Sequence, residues 1–134
     1  MNKLREICLI EDDKIQVFLA SKFITKTNLV EYISSFKNGK EAYDEMLERL
    51  ESNKLFPDII FLDINMPVWD GWSFYEAFTQ LKNADKVSIF ILTSSVSDYD
   101  VNKAEQFGLK DKYLAKPLSF STIEKIVTEL SGKA

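Results

Sequence analysis

The strongest constraint on the fold is an alternation along the chain between short apolar runs and longer stretches whose apolar residues recur at helical spacing. This alternation predicts a parallel sheet with helices on both faces. The run from Ile59 to Leu62 has no polar residue, as expected of a central strand buried on both faces. We therefore expect a doubly wound, five-stranded α/β fold with five helices and with strands at 6–10, 29–34, 58–62, 87–92 and 112–115.

Helical periodicity between these strands predicts four amphipathic helices, and their apolar positions are interpreted as core faces. These positions are Ile15, Phe18, Leu19 and Phe23; Tyr43, Met46, Leu47 and Leu50; Trp72, Tyr75 and Phe78; and Ile123, Ile126, Val127 and Leu130. Ser97 followed by Asp100 predicts the start of a further helix, which Gly108 can end in a left-handed conformation. The charged stretch 45–54 is interpreted as a solvated helix end and loop.

Composition excludes several functions. A net charge of −4 argues against binding to nucleic acid or to anionic lipid. No apolar run approaches the roughly 20 residues that span a bilayer, so we expect a cytoplasmic protein without membrane insertion, a single domain over residues 1–134 with no output domain. The single Cys8 is expected to be a buried hydrophobe without a disulfide partner.

The chain contains no histidine, which excludes catalytic triads and imidazole zinc sites. Acid, base or metal chemistry must therefore use carboxylates, lysine and hydroxyls. Such residues occur at the carboxyl ends of the predicted strands: Glu11 and Asp12, Asp63, Thr93 and Lys116. Because ligands of open parallel sheets bind outside those ends, we expect these side chains to meet in one pocket.

Three carboxylates at about 4 Å from one another repel by roughly 4 kcal/mol per pair at an effective dielectric constant of 20. A divalent cation together with Lys116 would compensate this repulsion. Oxygen ligands without histidine or cysteine, at a site with room for water and phosphate, favour Mg²⁺ over Ca²⁺. Taken alone, the acidic run 11–13 would be better explained as a helix N-cap, but Asp63 and Lys116 favour the metal site.

Several short motifs, each placed after a predicted strand, resemble those of response-regulator receiver domains. They are Leu9-Ile10-Glu11-Asp12-Asp13, Phe61-Leu62-Asp63-Ile64-Asn65-Met66-Pro67, Asp70-Gly71, Leu92-Thr93-Ser94 and Ala115-Lys116-Pro117. Each motif is weak alone, but the ordered set is specific, and the resemblance extends through essentially the whole chain. It implies a flavodoxin-like sheet with strand order 2-1-3-4-5.

The resemblance also implies roles for individual residues. Asp63 would be the phosphoacceptor, and Glu11, Asp12, Asp63 and the backbone carbonyl of Asn65 would hold Mg²⁺. Glu11 stands where aspartate is common in the family, and we expect it to reach the metal through water.

Four further residues have implied roles in binding the phosphoryl group and in switching. Thr93 would contact the phosphoryl group and Lys116 would pair with it. Tyr113 resembles the switch aromatic that turns inward when Thr93 moves, although a half-buried strand tyrosine remains an alternative. The bond between Lys116 and Pro117 is expected to be cis.

The implied function is a signalling switch rather than an enzyme that turns over a free substrate. A histidine kinase or phosphotransfer protein would phosphorylate Asp63, and the surface of helix 4, strand 5 and helix 5 would regulate an unknown partner protein. A degenerate receiver that binds proteins without phosphorylation is the main alternative. A related phosphatase is disfavoured because Asp63 is followed by Asn65 rather than a second aspartate. A flavodoxin relative is disfavoured because the acidic turn 11–13 would repel phosphate.

Overall fold

The computed structural model describes residues 3–94 and 97–132. Its five parallel strands form one sheet in the order β2-β1-β3-β4-β5, which confirms the predicted fold class. The strands are β1 Leu4–Ile10, β2 Val30–Phe36, β3 Ile59–Asp63, β4 Ser88–Thr93 and β5 Tyr113–Ala115. The predicted ends of these strands are shifted from the observed ends by at most two residues.

Five α-helices connect or follow the strands within the described residues. They are α1 Lys14–Lys26, α2 Gly39–Glu51, α3 Gly71–Phe78, α4 Asp98–Gln106 and α5 Phe120–Ser131, with short 3-10 helices at Ala84–Lys86 and Lys110–Lys112. Every α-helix begins after a residue whose side-chain oxygen accepts hydrogen bonds from the first-turn amides: Asp13, Asn38, Asp70, Ser97 and Ser119. The sequence signals for α4 are confirmed, since Ser97 is its N-cap and Gly108 follows it at a φ of 70°.

The core has two layers, one on each face of the sheet. In β3, Ile60 and Leu62 contact the layer that α2, α3 and α4 cover, whereas Ile59 and Phe61 contact the layer beneath α1 and α5. All four side chains are fully buried, and each such burial contributes about 1.5–3 kcal/mol to folding. The central strand is thus fixed in register, and the residue that follows this apolar run, Asp63, is held at the carboxyl edge of the sheet.

The prediction that the apolar stripe of α1 forms a core face is wrong for part of the stripe. Ile15, Phe18 and Leu19 are exposed by 69%, 57% and 39%. The helix buries the narrower face that carries Ala20 and Ile24 against the sheet. Small and branched residues suffice there, so the larger apolar side chains remain on the outer surface.

The interpretation of the stretch 45–54 as solvated is also wrong. Its first part belongs to α2, and Arg49 is buried beneath that helix. The Arg49 guanidinium donates two hydrogen bonds to the carboxylate of Glu6, at 2.7 and 3.0 Å, and one to the carbonyl of Leu55, at 3.2 Å. Ser34 Oγ donates to the same carboxylate at 2.6 Å. A buried ion pair therefore ties α2 to β1.

Cys8 is a buried free thiol, as predicted, and burial raises its pKa to about 12. In the part of the chain that the structure describes, no helix combines the length and the apolar character needed to cross a membrane.

Candidate functional site

The turn after β1 separates helix capping from the other acidic side chains. Asp13 is the N-cap of α1, and its Oδ1 accepts hydrogen bonds from the amides of Ile15 and Gln16, at 2.9 and 3.4 Å. Glu11 and Asp12 make no bond to the first-turn amides of α1 among the hydrogen bonds of the described residues. The alternative in which the whole acidic run serves as a helix cap therefore holds for Asp13 alone.

Asp63 is the last residue of the central strand and is almost completely buried, with 1% exposure. Its Oδ1 accepts a hydrogen bond from the amide of Asn65 at 3.0 Å. Gly71, the first residue of α3, lies so close that a Cβ atom there would be 2.6 Å from the carbonyl oxygen of Asp63. Only glycine permits this approach, which fixes the start of α3 against the end of β3.

Lys116 brings a positive charge to the same place from the end of β5. Its Nζ lies 2.7 Å from Glu11 Oε1 and 3.1 Å from Asp63 Oδ2. The amide of Lys116 donates to the carbonyl of Thr93 at 2.8 Å, which ties it to the neighbouring strand. The bond between Lys116 and Pro117 is cis, the isomer that the resemblance implied.

The three carboxylates form a compact group. One oxygen from each of Glu11, Asp12 and Asp63 lies within 4.8 Å of the other two. Glu11 and Asp63 are buried, whereas Asp12 is exposed, so the group opens to solvent on one side. A set of oxygen donors with space for water is the donor set that Mg²⁺ prefers, and these residues fit that ion.

The electrostatics of the group are unbalanced within the chain itself. Burial raises the pKa of Glu11, and the adjacent Asp63 carboxyl raises it further, while Lys116 opposes the rise. Burial alone would lower the pKa of Lys116, but Glu11 and Asp63 outweigh that effect, and its pKa is raised. Three carboxylates thus share one ammonium group, and an added cation would relieve their repulsion.

Thr93 and Tyr113 lie on neighbouring strands beside this group. Thr93 ends β4 and is 4% exposed, while Tyr113 pairs in register with Ile91 on the same strand. The Tyr113 hydroxyl is buried and makes no well-formed hydrogen bond to a described residue. Burial raises the pKa of Tyr113, an interaction with the Thr93 side chain lowers it in part, and the charge of Asp100 raises it further.

The structure therefore brings Glu11, Asp12, Asp63 and Lys116 together in one group, with Thr93 at the adjoining strand end. Asn65 contacts Asp63 through its amide.

Two features of this region were missed from the sequence. Val68 and Trp69, in the loop after Asp63, both have left-handed backbones, with φ of 51° and 65°. Trp72 donates a hydrogen bond to Asp100 across 28 residues. Neither residue type at these positions gives a sequence signal for its conformation or partner.

The fold and the site together define a doubly wound α/β domain with an acidic, lysine-containing pocket at the carboxyl edge of its sheet. The model of the response regulator receiver domain family matches residues 7–128. The chain belongs to this family, and receiver domains of two-component systems are signalling switches rather than enzymes that turn over a free substrate.

Relatives of known structure agree with this assignment. A two-component response regulator from Cytophaga hutchinsonii is 33% identical, with a TM-score of 0.83, and the match covers 96% of this chain and 98% of that one. A two-component response regulator from Legionella pneumophila is 26% identical, with a TM-score of 0.81 and the same coverage.

Curated relatives include both shorter and longer proteins. The probable methanogenesis regulatory protein FilR2 of Methanothrix harundinacea is 28% identical over 127 residues, which cover 92% of this chain and 79% of that protein. The chain spans only 33% of the protein-glutamate methylesterase/protein-glutamine glutaminase of Methanococcoides burtonii, which is also 28% identical.

Proposed function

We propose that this receiver domain is a Mg²⁺-dependent phosphoacceptor switch, phosphorylated on Asp63 by a histidine kinase or a phosphotransfer protein. The observation that carries the proposal is the convergence on Asp63 of Lys116, at 3.1 Å, and of two further carboxylates. A nucleophilic carboxylate, a fixed positive charge and a group of metal-binding oxygens are the parts that phosphoryl transfer requires.

The residues of the chain position the nucleophile. The amide of Asn65 holds one oxygen of Asp63 and the ammonium of Lys116 holds the other. An Asp63 oxygen attacks the phosphorus of a phosphohistidine, the phosphorus–nitrogen bond breaks, and an acyl phosphate forms while the donor imidazole keeps the electron pair. Lys116 neutralises charge on the transferring oxygens. Mg²⁺, held by Glu11, Asp12, Asp63 and the backbone carbonyl of Asn65, would supply further charge neutralisation when bound.

The exposed apolar side chains of α1 support a protein as the phosphodonor. Ile15, Phe18 and Leu19 lie in the first turns of the helix that begins beside the acidic group. Grouped exposed apolar residues of this size mark contact surfaces for other proteins. A donor protein that covered this part of α1 would reach Asp63 from the open side of the group.

The output depends on Thr93 and Tyr113. Phosphate on Asp63 brings oxygens that can accept a hydrogen bond from Thr93, and a shift of Thr93 would change the space around Tyr113 and the surface formed by α4, β5 and α5. Only a differential interaction with two arrangements can move such an equilibrium, and the bond to Thr93 would provide it. That surface would then regulate a partner protein.

Intact-protein mass spectrometry after incubation with acetyl phosphate and magnesium tests the phosphoacceptor. We expect the wild type to gain the mass of one phosphoryl group, and Asp63→Asn to gain none. The matched control is Asp13→Asn, which keeps the α1 cap and should gain the same mass as the wild type. A gain that persists in Asp63→Asn would place the chemistry elsewhere, and no gain in the wild type would favour a receiver that acts without phosphorylation.

A second experiment separates chemistry from output. Thr93→Ala keeps Asp63, Lys116 and the proposed metal ligands, so it should still take up phosphate, but it should fail to transmit the change. Amide NMR of both proteins with magnesium and beryllofluoride, a mimic of the phosphoryl group, measures this. Equal shifts across residues 97–113 in the two proteins would show that Thr93 does not couple the site to α4.

A further inference from the structure

A hydrogen bond between two helices connects the functional site to α4. The indole nitrogen of Trp72 donates to Asp100 Oδ1 at 2.8 Å. Trp72 lies in the first turn of α3 and is 4% exposed, and Asp100 lies in the first turn of α4. The bond therefore joins the beginnings of two helices that pack on the same face of the sheet.

The donor is fixed relative to Asp63. Gly71 precedes Trp72 and packs directly against the backbone of Asp63 and Ile64, where a Cβ atom would lie 2.6 Å from each. Helix α3 cannot move away from the end of β3 without losing this contact. Trp72 is thus a stationary anchor next to the phosphoacceptor.

The acceptor controls how α4 begins. The other oxygen of Asp100 accepts from Ser97 Oγ at 2.9 Å, and the Asp100 amide donates to the same Oγ at 3.1 Å. Asp100 therefore completes the N-terminus of α4 while Trp72 holds its carboxylate. The charge of Asp100 also contributes to the raised pKa of Tyr113, which places Asp100 near the aromatic side chain of β5.

We propose that Trp72 is a positioning residue for the output surface: its bond to Asp100 holds the first turn of α4 against α3, in the arrangement in which the Tyr113 hydroxyl is buried. This inference rests on the proposed function only in taking α4 and β5 as the output surface. A hydrogen bond to a charged acceptor changes an equilibrium by about tenfold or more. Loss of the bond should shift the two arrangements of α4 by that factor.

Other contacts hold the rest of α4 and do not involve the indole nitrogen. Lys103 pairs with Glu76 at 2.9 Å across the surface of the two helices. Phe107 packs against the rings of Trp72 and Tyr75, with centroids at 6.0 and 5.0 Å. Trp72→Phe would keep an aromatic ring at this interface and remove the donor, so it isolates the hydrogen bond.

Fluorine NMR of protein labelled with 3-fluorotyrosine measures the burial of Tyr113. The resonance is assigned among the five tyrosines by its loss in Tyr113→Phe. We expect Trp72→Phe to raise the population with an exposed Tyr113 by about tenfold in the unphosphorylated protein. The control Tyr75→Phe keeps its ring against Phe107 and should leave that population unchanged. Equal populations in Trp72→Phe and the wild type would overturn the proposal.

The indole N–H resonance of Trp72 gives an independent readout, because the chain has only two tryptophans. Asp100→Ala should move this resonance and speed its hydrogen exchange by about tenfold, whereas Asp100→Asn, which retains an acceptor oxygen, should restore slow exchange. Ser97→Ala removes the cap alone and should not speed indole exchange. Fast exchange in the wild type, or no change in Asp100→Ala, would contradict the bond. These measurements use no phosphodonor, so they stand whether or not Asp63 gains mass with acetyl phosphate.

Discussion

Two buried glutamates at opposite ends of β1 have opposite electrostatic properties. Glu6 is 1% exposed and Glu11 is 6% exposed. Burial raises the pKa of both, but hydrogen bonds from Arg49 and Ser34 to Glu6 outweigh it and lower that pKa, whereas the neighbouring Asp63 raises the pKa of Glu11 further. Equal burial therefore gives a structural charge at one edge of the sheet and a reactive one at the other. The difference lies in how much positive charge the chain supplies.

The amino edge is satisfied by the chain itself. Arg49 Nε donates to Glu45 at 2.8 Å in addition to its two bonds with Glu6, and the backbone amides of Arg5 and Glu6 donate to Asp58 at 2.7 and 3.1 Å. The carboxyl edge shares Lys116 among three carboxylates. The two edges should thus respond differently to loss of a charge, to pH and to added metal.

The largest expected effect is at the amino edge. Arg49→Met would leave the carboxylate of Glu6 buried without its cation, and removal of one partner of a buried ion pair costs about 3–5 kcal/mol. Urea denaturation at pH 7 should show this loss in the free energy of unfolding. Glu6→Leu combined with Arg49→Met removes both charges and should recover most of it. A loss below about 1 kcal/mol in the single variant would show that the pair is not structural.

The second effect has the opposite sign and lies at the carboxyl edge. Without divalent metal at pH 8, Glu11→Gln should be more stable than the wild type by about 1 kcal/mol, because one unit of pKa shift corresponds to about that energy. The raised pKa means that the folded wild type keeps a proton that the unfolded chain has released. Its stability is therefore full below the ordinary glutamate pKa and falls as pH rises through the raised value.

Thermal unfolding in a chelator across pH 4–8 measures this effect. The wild type should lose stability toward pH 8 relative to Glu11→Gln, and added magnesium should stabilise the wild type more than the variant. Asp13→Asn serves as the control and should follow the wild type. A variant that is less stable than the wild type at pH 8 in chelator would mean that Lys116 already compensates Glu11.

The smallest effect concerns the backbone at each edge. Val68 has a φ of 51°, which is unfavourable for a β-branched residue. Val68→Gly should raise the free energy of unfolding by about 0.5–1 kcal/mol, even though glycine increases the entropy of the unfolded chain. The matched control is Asn53→Gly after α2, where φ is 58° but asparagine tolerates the left-handed region. Equal changes in the two variants, measured by urea denaturation, would rule out strain specific to the loop after Asp63.

The sequence predicts the carboxyl edge better than the amino edge, for a physical reason. Parallel strands bring their ends together, so polar residues after apolar runs reveal Glu11, Asp63 and Lys116. The pair between Glu6 and Arg49 joins residues 43 positions apart on elements whose relative orientation no local pattern encodes. For the same reason, the spacing of apolar residues in α1 predicted a helix but not which of its faces would meet the sheet.

Backbone conformation after Asp63 was equally hidden. Valine favours extended structure, so nothing at Val68 signals a left-handed residue. The tertiary packing around it overrides that local preference: the carbonyl oxygen of Trp69 lies 3.0 Å from where a Cβ of Gly39 would be, and the Trp69 ring packs against Tyr43, with centroids at 5.2 Å.

The claim that the carboxyl edge is built to take a divalent cation, whereas the amino edge is complete without one, is tested most directly by carbon-13 NMR titration of the glutamate side-chain carboxyls. In metal-free protein, Glu6 should titrate below and Glu11 above the ordinary value near 4.3. Saturating magnesium should move the titration of Glu11 to lower pH and leave that of Glu6 unchanged. Two ordinary titrations, or a Glu11 titration that magnesium does not move, would contradict the claim.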